Sequence, residues 1–358
     1  MMNFSHLPLL AITGLGRGEN PQPGAAVLAS LRRRWPNLRA AGLVYDALES
    51  GVYAPDCPEA AFTLPYPSCG APAFLARLDE IRKEYPFEVL IPTLDAEIQP
   101  LLSLRGELSR RGVLAMLPEE DAFQSRHKQN LTKLAAQAGV NVPKTHIANT
   151  AEEAELLAAA MGPVMIKGPF YEAVRVGHPA RARAQAAHVL AEWGGPVLVQ
   201  EIIEGHEFNF LAVGDGRGGM LGCCALRKLV VSTLGKGYAG MTVFDGRLRA
   251  TAEALMQALQ WTGPLEFEFI RDRSGDFYLI EINPRFPAWA DFPAAVGSNL
   301  AVAALEQLLE WPATPVREVP SGKMFIRHSR DIVCDSADFA QLVGEGRINR
   351  SEQKTPRS

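Results

Sequence analysis

The stretch GPLEFEFIRDRSGDFYLIEINPRF, Gly263 to Phe286, decides how this chain is read. Apolar and polar residues alternate along LEFEFIRD and again along DFYLIEINP, the period of a half-buried strand. A Ser-Gly pair between the two arms supplies the turn of a hairpin. Glu268, Glu281 and Asn283 occupy alternating positions, and on paired strands they can point to one face and meet at one place. Oxygen donors without Cys or His among them suit a hard cation such as Mg²⁺ or Mn²⁺, which also takes oxygens from a nucleotide's phosphates. Arg285 follows directly, and a guanidinium suits a phosphate or acyl-phosphate oxygen. An isolated E-x-N pair can equally belong to a solvated strand edge. Pro284, which ends the strand, and Arg285 after it make the longer string the more specific signal.

The 358 residues suffice for two or three domains with ample core. Hydrophobic residues at 47% and charged ones at 21% are ordinary for a globular chain. A formal net charge of -4, with no basic run, argues against a nucleic-acid partner. The five Cys are odd in number, scattered, and form no C-x-x-C pair, so neither a disulfide nor a zinc framework is expected. The start MMNFSHLPLLAITG lacks the basic opening of a signal peptide, and no apolar run is long enough to span a bilayer. A cytoplasmic protein without a membrane partner is the expectation.

LPLLAIT, Leu7 to Thr13, is a continuous apolar run of the kind found in buried parallel strands. A Gly-rich loop, a helix over Ala25 to Arg34 and a strand RAAGLVYD complete a βαβ unit. Gly14, Gly16, Gly18 and Asp46 invite a dinucleotide reading, but the spacing is not G-x-G-x-x-G, and Pro21 and Pro23 precede the helix. A Rossmann-like half-sheet that binds no dinucleotide is therefore expected. Pro55 to Pro72 reads as loop, and AFLARLDEIRKEY as helix. FEVLIPTLDAEIQPLL gives a strand ending at Pro92, with Asp95 and Glu97 just past its carboxyl end. Ligands bind there in open α/β sheets, although both acids can also serve as helix caps. TAEEAELLAAAMG is a helix capped by Thr150 and closed by Gly162. PVMIKG, EAVRV, PARARAQAAHVLAEWG and PVLVQEII then alternate as a small αβ lid, and Lys167 ends its first strand. A helix over Thr251 to Gln260 precedes the hairpin, and one over Asn299 to Glu310 follows it, stopped by Pro312. SGKMFIRHSRDIV reads as one more strand, SADFAQLVGEG as a short helix, and RSEQKTPRS as a disordered tail.

EINPRF, preceded by a turn and an acid-bearing strand, resembles the metal-binding core of the ATP-grasp superfamily. The flavour is similar to the large subunit of carbamoyl-phosphate synthase and its stand-alone relatives. The resemblance implies an α/β ATP-grasp fold with four parts. These are an N-terminal Rossmann-like domain (1–118), a small αβ lid with its linking helix (119–199), an antiparallel-sheet ATP-binding subdomain (200–312), and a C-terminal extension (313–358). It implies Glu268, Glu281 and Asn283 as ligands of a pair of Mg²⁺ or Mn²⁺ ions. Asp95 and Glu97 resemble the family's P-x-x-D-x-E segment. Lys128 stands where a basic residue ahead of a helix contacts ATP phosphates, with Arg126 as competitor; relatives often have Asp-Lys where this chain has His127-Lys128. Lys167 matches the second ATP lysine, and Gln200, Glu201, Ile202 and Ile203 match the hinge whose main chain meets adenine. Glu207 lies where an acid often holds the ribose. Arg227 and Lys236, with Lys228 nearby and Arg285, would face the transferred phosphate and the substrate carboxylate. GPFYEAVRVG after Lys167 departs from the usual Gly/Ser-rich phosphate cover.

The implied activity is that of an ADP-forming ligase. A carboxylate attacks the γ-phosphate of ATP, and an amine or thiol then displaces phosphate from the acyl phosphate. The implied partners are a small-molecule or peptide carboxylate and a nucleophile, with a homodimer left open. Two other accounts compete: a regulatory or scaffold protein that kept ATP binding and lost catalysis, or a carbamoyl-phosphate-forming or biotin-carboxylase-type enzyme. The chain is short for the last pair, and has no duplicated half and no glutaminase.

Overall fold

In the computed structural model the described residues are 7–18, 20–168, 173–231 and 237–350. Among them sixteen strands form three sheets. β1 (Leu10–Thr13), β2 (Ala40–Val44), β3 (Ala60–Thr63), β4 (Val89–Ile91) and β5 (Leu114–Ala115) make a parallel sheet in the order β3-β2-β1-β4-β5. β6 (Thr145–Ala148), β7 (Val164–Lys167), β8 (Ala173–Val176) and β9 (Val197–Glu201) make the antiparallel lid sheet, order β6-β9-β7-β8. β10 (Gly205–Asp215), β11 (Met220–Val231), β12 (Gly237–Thr242), β13 (Thr262–Asp272), β14 (Phe277–Asn283) and β15 (Met324–Ile326) make a larger antiparallel sheet, order β14-β13-β10-β11-β12-β15. β16 (Arg347–Asn349) returns to the first sheet, antiparallel to β3.

The expected hairpin is β13 and β14. Its turn has Gly275 at φ 94°, a left-handed conformation that favours glycine. The large sheet has two different faces because side chains alternate along each strand. Phe208, Phe210 and Ala212 pack with Phe267 and Phe269 on helix Gly246–Leu259. Asn209, Leu211 and Val213 face the other way. Leu211 and Val213 pack with helix Leu300–Leu308, and Asn209 points into a polar patch. The lid repeats the device: Val164, Ile166, Val197 and Val199 pack on its two helices, whereas Lys167, Leu198 and Gln200 turn to the cleft.

Two sequence expectations are corrected. The stretch Pro55 to Pro72 contains β3, a buried strand of four residues held between β2 and β16, where sheet pairing overrides the surrounding prolines. The helix expected from Thr251 begins at Gly246, because Asp245 accepts the amides of Arg247 and Leu248. In the glycine-rich loop after β1, the amides of Leu15, Gly16 and Arg17 donate to Glu49, Gln22 and Ser50. The donors a pyrophosphate needs there are taken, which supports the reading without a dinucleotide. Among the described residues no helix is long and apolar enough to cross a membrane.

The C-terminal extension touches both large sheets. β15 joins the edge of β12, and helix Ser336–Glu345 leads to β16 on the edge of β3. Leu342 and Ile348 are fully buried under that edge. Leu342→Ala should cost roughly 2–5 kcal/mol in denaturant unfolding. Its exposed neighbour Val343→Ala should stay within about 0.5 kcal/mol. Equal effects of the two would show that the helix does not dock as described.

Candidate active site

Strand pairing places Glu268 opposite Glu281 and Glu266 opposite Asn283, so four polar residues share one face at the end of the hairpin. Glu266 is 3% exposed and lies at the centre. Its carboxylate accepts from Asn209 Nδ2, from Trp289 Nε1 (2.8 Å) and from Asn283 Nδ2 (3.2 Å). Burial first, and then the Glu268 charge, push the Glu266 carboxyl above its usual range, while Arg285 opposes them. Asn283 Nδ2 also donates to Glu268 Oε1 at 3.0 Å.

Four cations surround this row. Arg285 Nε reaches Asp95 Oδ2 at 2.9 Å, and Arg285 NH1 lies 3.8 Å from Glu266 Oε2. Burial alone would lower the Arg285 pKa, but Asp95 and Glu266 outweigh it and raise it. Lys228 Nζ bridges Glu207 and Glu268, at 2.9 Å to each. Burial works against the Lys228 charge, yet Glu268 and Glu207 hold its pKa above the usual value. Lys128 lies 3.3 Å from Glu281, at the start of the turn that leads into helix Leu131–Ala138. Lys167 projects from the lid and makes no ion pair within 4 Å among the described residues. Burial, then Lys128, lowers its pKa to about 8, against the pull of Glu281 and Glu268. Lys128, Lys167, Thr145, Leu198, Gln200, Leu279 and Ile280 line the cleft between lid and sheet.

Of the residues singled out from sequence, Glu268, Glu281, Asn283, Arg285, Lys128 and Lys167 come together here. Gln200 lines the cleft with its amide donating to Thr145, and Ile202 and Ile203 follow β9 outside any strand. Glu201 is tied to the linker: its amide donates to Lys144 O, and its carboxylate accepts from Lys144 N. Glu207 shares Lys228 with Glu268. Asp95 enters the cluster through Arg285, whereas Glu97 is buried and holds Thr13 Oγ1 and Leu94 N. Arg227 does not join. It pairs with Phe208, on the opposite face from Glu268, and its guanidinium lies 3.2 Å from His206. One step of strand alternation gives the place to Lys228. Lys236 lies outside the described residues, as do residues 169–172 of the segment that follows Lys167. Asp291, six residues after Arg285 in sequence, pairs with Arg33 and takes no part in the cluster. Sequence reading missed Glu266 and Trp289. Glu266 stands two residues before Glu268 in the same alternation, which is signal enough; Trp289 carries none.

Glu268, Glu281 and the amide oxygen of Asn283 are hard donors suited to Mg²⁺. No group of three His, Cys, Asp or Glu close enough to hold a metal occurs among the described residues; Glu266 accepts from Asn283 and Trp289. Asn283 turns its nitrogen to the acids and its oxygen to Arg285, 3.5 Å away. The donor set fits a cation once that amide is rotated by half a turn, a swap of nearly isosteric ends.

Several solved structures are similar to this chain. A biotin carboxylase from Campylobacter jejuni, in a β,γ-ATP complex, has a TM-score of 0.67 over 86% of this chain and 72% of its own, at 16% identity. N5-carboxyaminoimidazole synthase from Aspergillus clavatus, in complex with ADP and 5-aminoimidazole ribonucleotide, scores 0.66 over 89% and 81%, at 15% identity. The chain has the ATP-grasp fold. An L-amino acid ligase from Bacillus licheniformis shares that fold with a TM-score of 0.62, over 84% of this chain and 74% of its own, at 16% identity. No family model matches the sequence. The chain's parallel sheet, antiparallel lid and large antiparallel sheet agree with the fold class expected from sequence.

Lys167 gives a pH-dependent expectation. Its folded pKa of about 8 lies below the ordinary 10.5, so the folded state disfavours the charged form. The cost, roughly 3 kcal/mol, is fully present below pH 8 and disappears as pH rises past 10.5. Lys167→Met should therefore raise unfolding stability near pH 7 and lose that advantage toward pH 10.5. A stability difference that does not change with pH would remove the buried, unpaired charge.

Proposed function

We propose that this protein is an ADP-forming ligase that activates a carboxylate with ATP and joins it to an amine or a thiol. The observation that carries this is the convergence of Glu268, Glu281, Asn283, Arg285 and Lys167 on one cleft of an ATP-grasp fold. A carboxylate oxygen attacks the γ-phosphorus, the bond to the β-phosphate oxygen breaks, and ADP leaves. The nucleophile then attacks the acyl carbon, the carbon–oxygen bond to phosphate breaks, inorganic phosphate leaves, and the nucleophile gives up a proton. Lys128 and Lys167 bind the phosphates. Main chain from Gln200 to Ile203 meets the adenine, and Glu207 keeps its second oxygen for the ribose. Arg285 offers a planar fork to the transferring group, aimed by Asp95 and Glu266. Glu268, Glu281 and Asn283 hold Mg²⁺, which when bound offsets the charge between two anionic reactants. Lys228 takes the role first assigned to Arg227, as the cation on the site face.

The test is ADP and phosphate release with MgATP and a panel of carboxylates, bicarbonate included, crossed with amines and thiols. Glu281→Gln should lower turnover by at least about tenfold to a hundredfold with an unchanged melting temperature, and Asn283→Ala should lower turnover as far while also lowering the melting temperature, because it removes a donor from buried Glu266. Turnover within about twofold of the unaltered protein, under ~0.5 kcal/mol, would strike that residue from the metal site. Nucleotide binding with no ADP from any pair would leave a binding protein without catalysis.

The ammonium form of Lys167 is the one that meets phosphate. MgADP affinity measured by calorimetry should fall as pH rises through about 8, by up to about tenfold per unit. Lys167→Met should flatten that profile. A profile that keeps its slope in the variant would move the phosphate role to another cation.

A further inference from the structure

The C-terminal extension ends the large sheet in an open edge. β15 is last in the strand order and pairs only with β12 among the described residues. Thr242 N donates to Lys323 O at 2.7 Å, and Arg327 N donates to Tyr238 O at 2.9 Å. Main-chain groups alternate sides along an antiparallel strand, so Lys323, Phe325 and Arg327 turn theirs inward to β12. The N–H and C=O groups of Met324 and Ile326 therefore face away from the sheet. The side chains of the same two residues are open as well, at 52% and 68% exposure. Ile326 lies opposite Ala239, which lies opposite the exposed Val230, so an apolar shelf runs inward from the edge. On the other face Phe325 lies opposite Gly240, in line with Lys228 of the acid cluster. The opposite edge of the sheet, β14, is covered by the linker, where Leu279 N donates to Asn141 O. Nothing comparable covers β15 among the described residues.

This edge carries one sign of charge. KMFIRHSR, Lys323 to Arg330, holds a lysine, two arginines and a histidine before the first acid, Asp331, in a chain of formal net charge -4. Lys323, His328 and Arg330 are exposed and make no ion pair among the described residues. Arg327 turns back over the Phe325 ring. These charges select against a second copy of the chain. Antiparallel pairing about a twofold axis at Phe325 would set Lys323 of each copy opposite Arg327 of the other, and like charges directly opposite are destabilising. A strand with acids beside its apolar residues meets the same edge with opposite charge.

We propose that the outer edge of β15 is a docking strand for an extended acidic peptide, which adds to the large sheet antiparallel to it. Two residues of the peptide exchange main-chain hydrogen bonds with Met324 and Ile326. Their apolar side chains lie along the shelf that leads to Val230, and the acid beside them meets Lys323. Main-chain bonding supplies the affinity, and the alternate side chains with the flanking charge supply the choice of partner. The peptide binds at the rim of the face that carries the acid cluster and displaces none of its contacts.

The probe is fluorescein-Glu-Val-Thr-Val-Glu-amide, followed by fluorescence anisotropy against the full chain. Its blocked ends offer no terminal carboxylate. The unaltered protein should bind it saturably, and more tightly at low salt. N-methylation of both valines removes the peptide's donors without touching the protein, and should weaken binding at least about tenfold. Met324→Pro removes an amide that faces away from β12, so it should weaken binding as far with an unchanged melting temperature. Lys323→Glu should weaken it roughly threefold to fivefold. Leu156→Ala, at an exposed position on the lid helix, should match the unaltered protein. No binding by the unaltered protein overturns the docking strand, as does equal binding of the N-methylated peptide or of fluorescein-Lys-Val-Thr-Val-Lys-amide. Sedimentation of the protein alone should show no dimer that Met324→Pro dissolves; such a dimer would give the edge to a second copy and overturn the acidic peptide.

Discussion

A carboxylate sealed inside a protein must be met by donors, or its burial costs several kcal/mol. Glu266 is such a group, and most of the site hangs from it. Asn209 and Asn283 are turned toward it from neighbouring strands, Trp289 is drawn in from the loop after the hairpin, and Arg285 stands beside it. Two of these partners are thereby fixed for a second task. Asn283 is aimed at Glu268, and Arg285 reaches across to Asp95. The contact between Arg285 and Asp95 spans 190 residues of sequence and ties the large sheet to the N-terminal sheet. Truncating Glu266 would leave amide, indole and guanidinium donors without a common acceptor.

The large sheet can support this cluster because its faces divide the labour. One face is apolar where it rests on helix Gly246–Leu259. The other is apolar only at the end covered by helix Leu300–Leu308, and polar where Asn209, Glu266 and Glu268 emerge. The period of two makes the division unforgiving. Arg227 and Lys228 are adjacent, yet one lies beside His206 on the far face and the other bridges two acids of the site.

The lysines illustrate how position sets charge. Lys228 is buried but held by two acids, so it stays cationic against desolvation. Lys167 is buried beside another lysine with its nearest acids out of contact, so its proton is loosely held. The first works as a fixed counter-charge that keeps the acid row compact. The second is poised for an anion that the described residues do not supply, which suits a group meeting a polyphosphate.

The hairpin, its three oxygen-bearing residues and the arginine after them are legible in the sequence because alternation and turn chemistry are local. The same holds for the lid helix capped by Thr150 and for the lysine that ends β7. Local rules also misled: prolines hid β3, and a cap at Asp245 lengthened a helix. Which basic residue of the pair 227 and 228 faces the acids depends on the register of β11 against β10, a long-range pairing that no window of sequence contains. The roles of Asp95 and Trp289 depend on it still more, since one reaches the site from another sheet and the other from a loop. The sequence by itself determined the fold class and the hairpin that carries the oxygen donors. Only the tertiary structure decided which charges neutralise one another and which are left for a ligand, because a side chain's electrostatic partner is set by packing between distant elements.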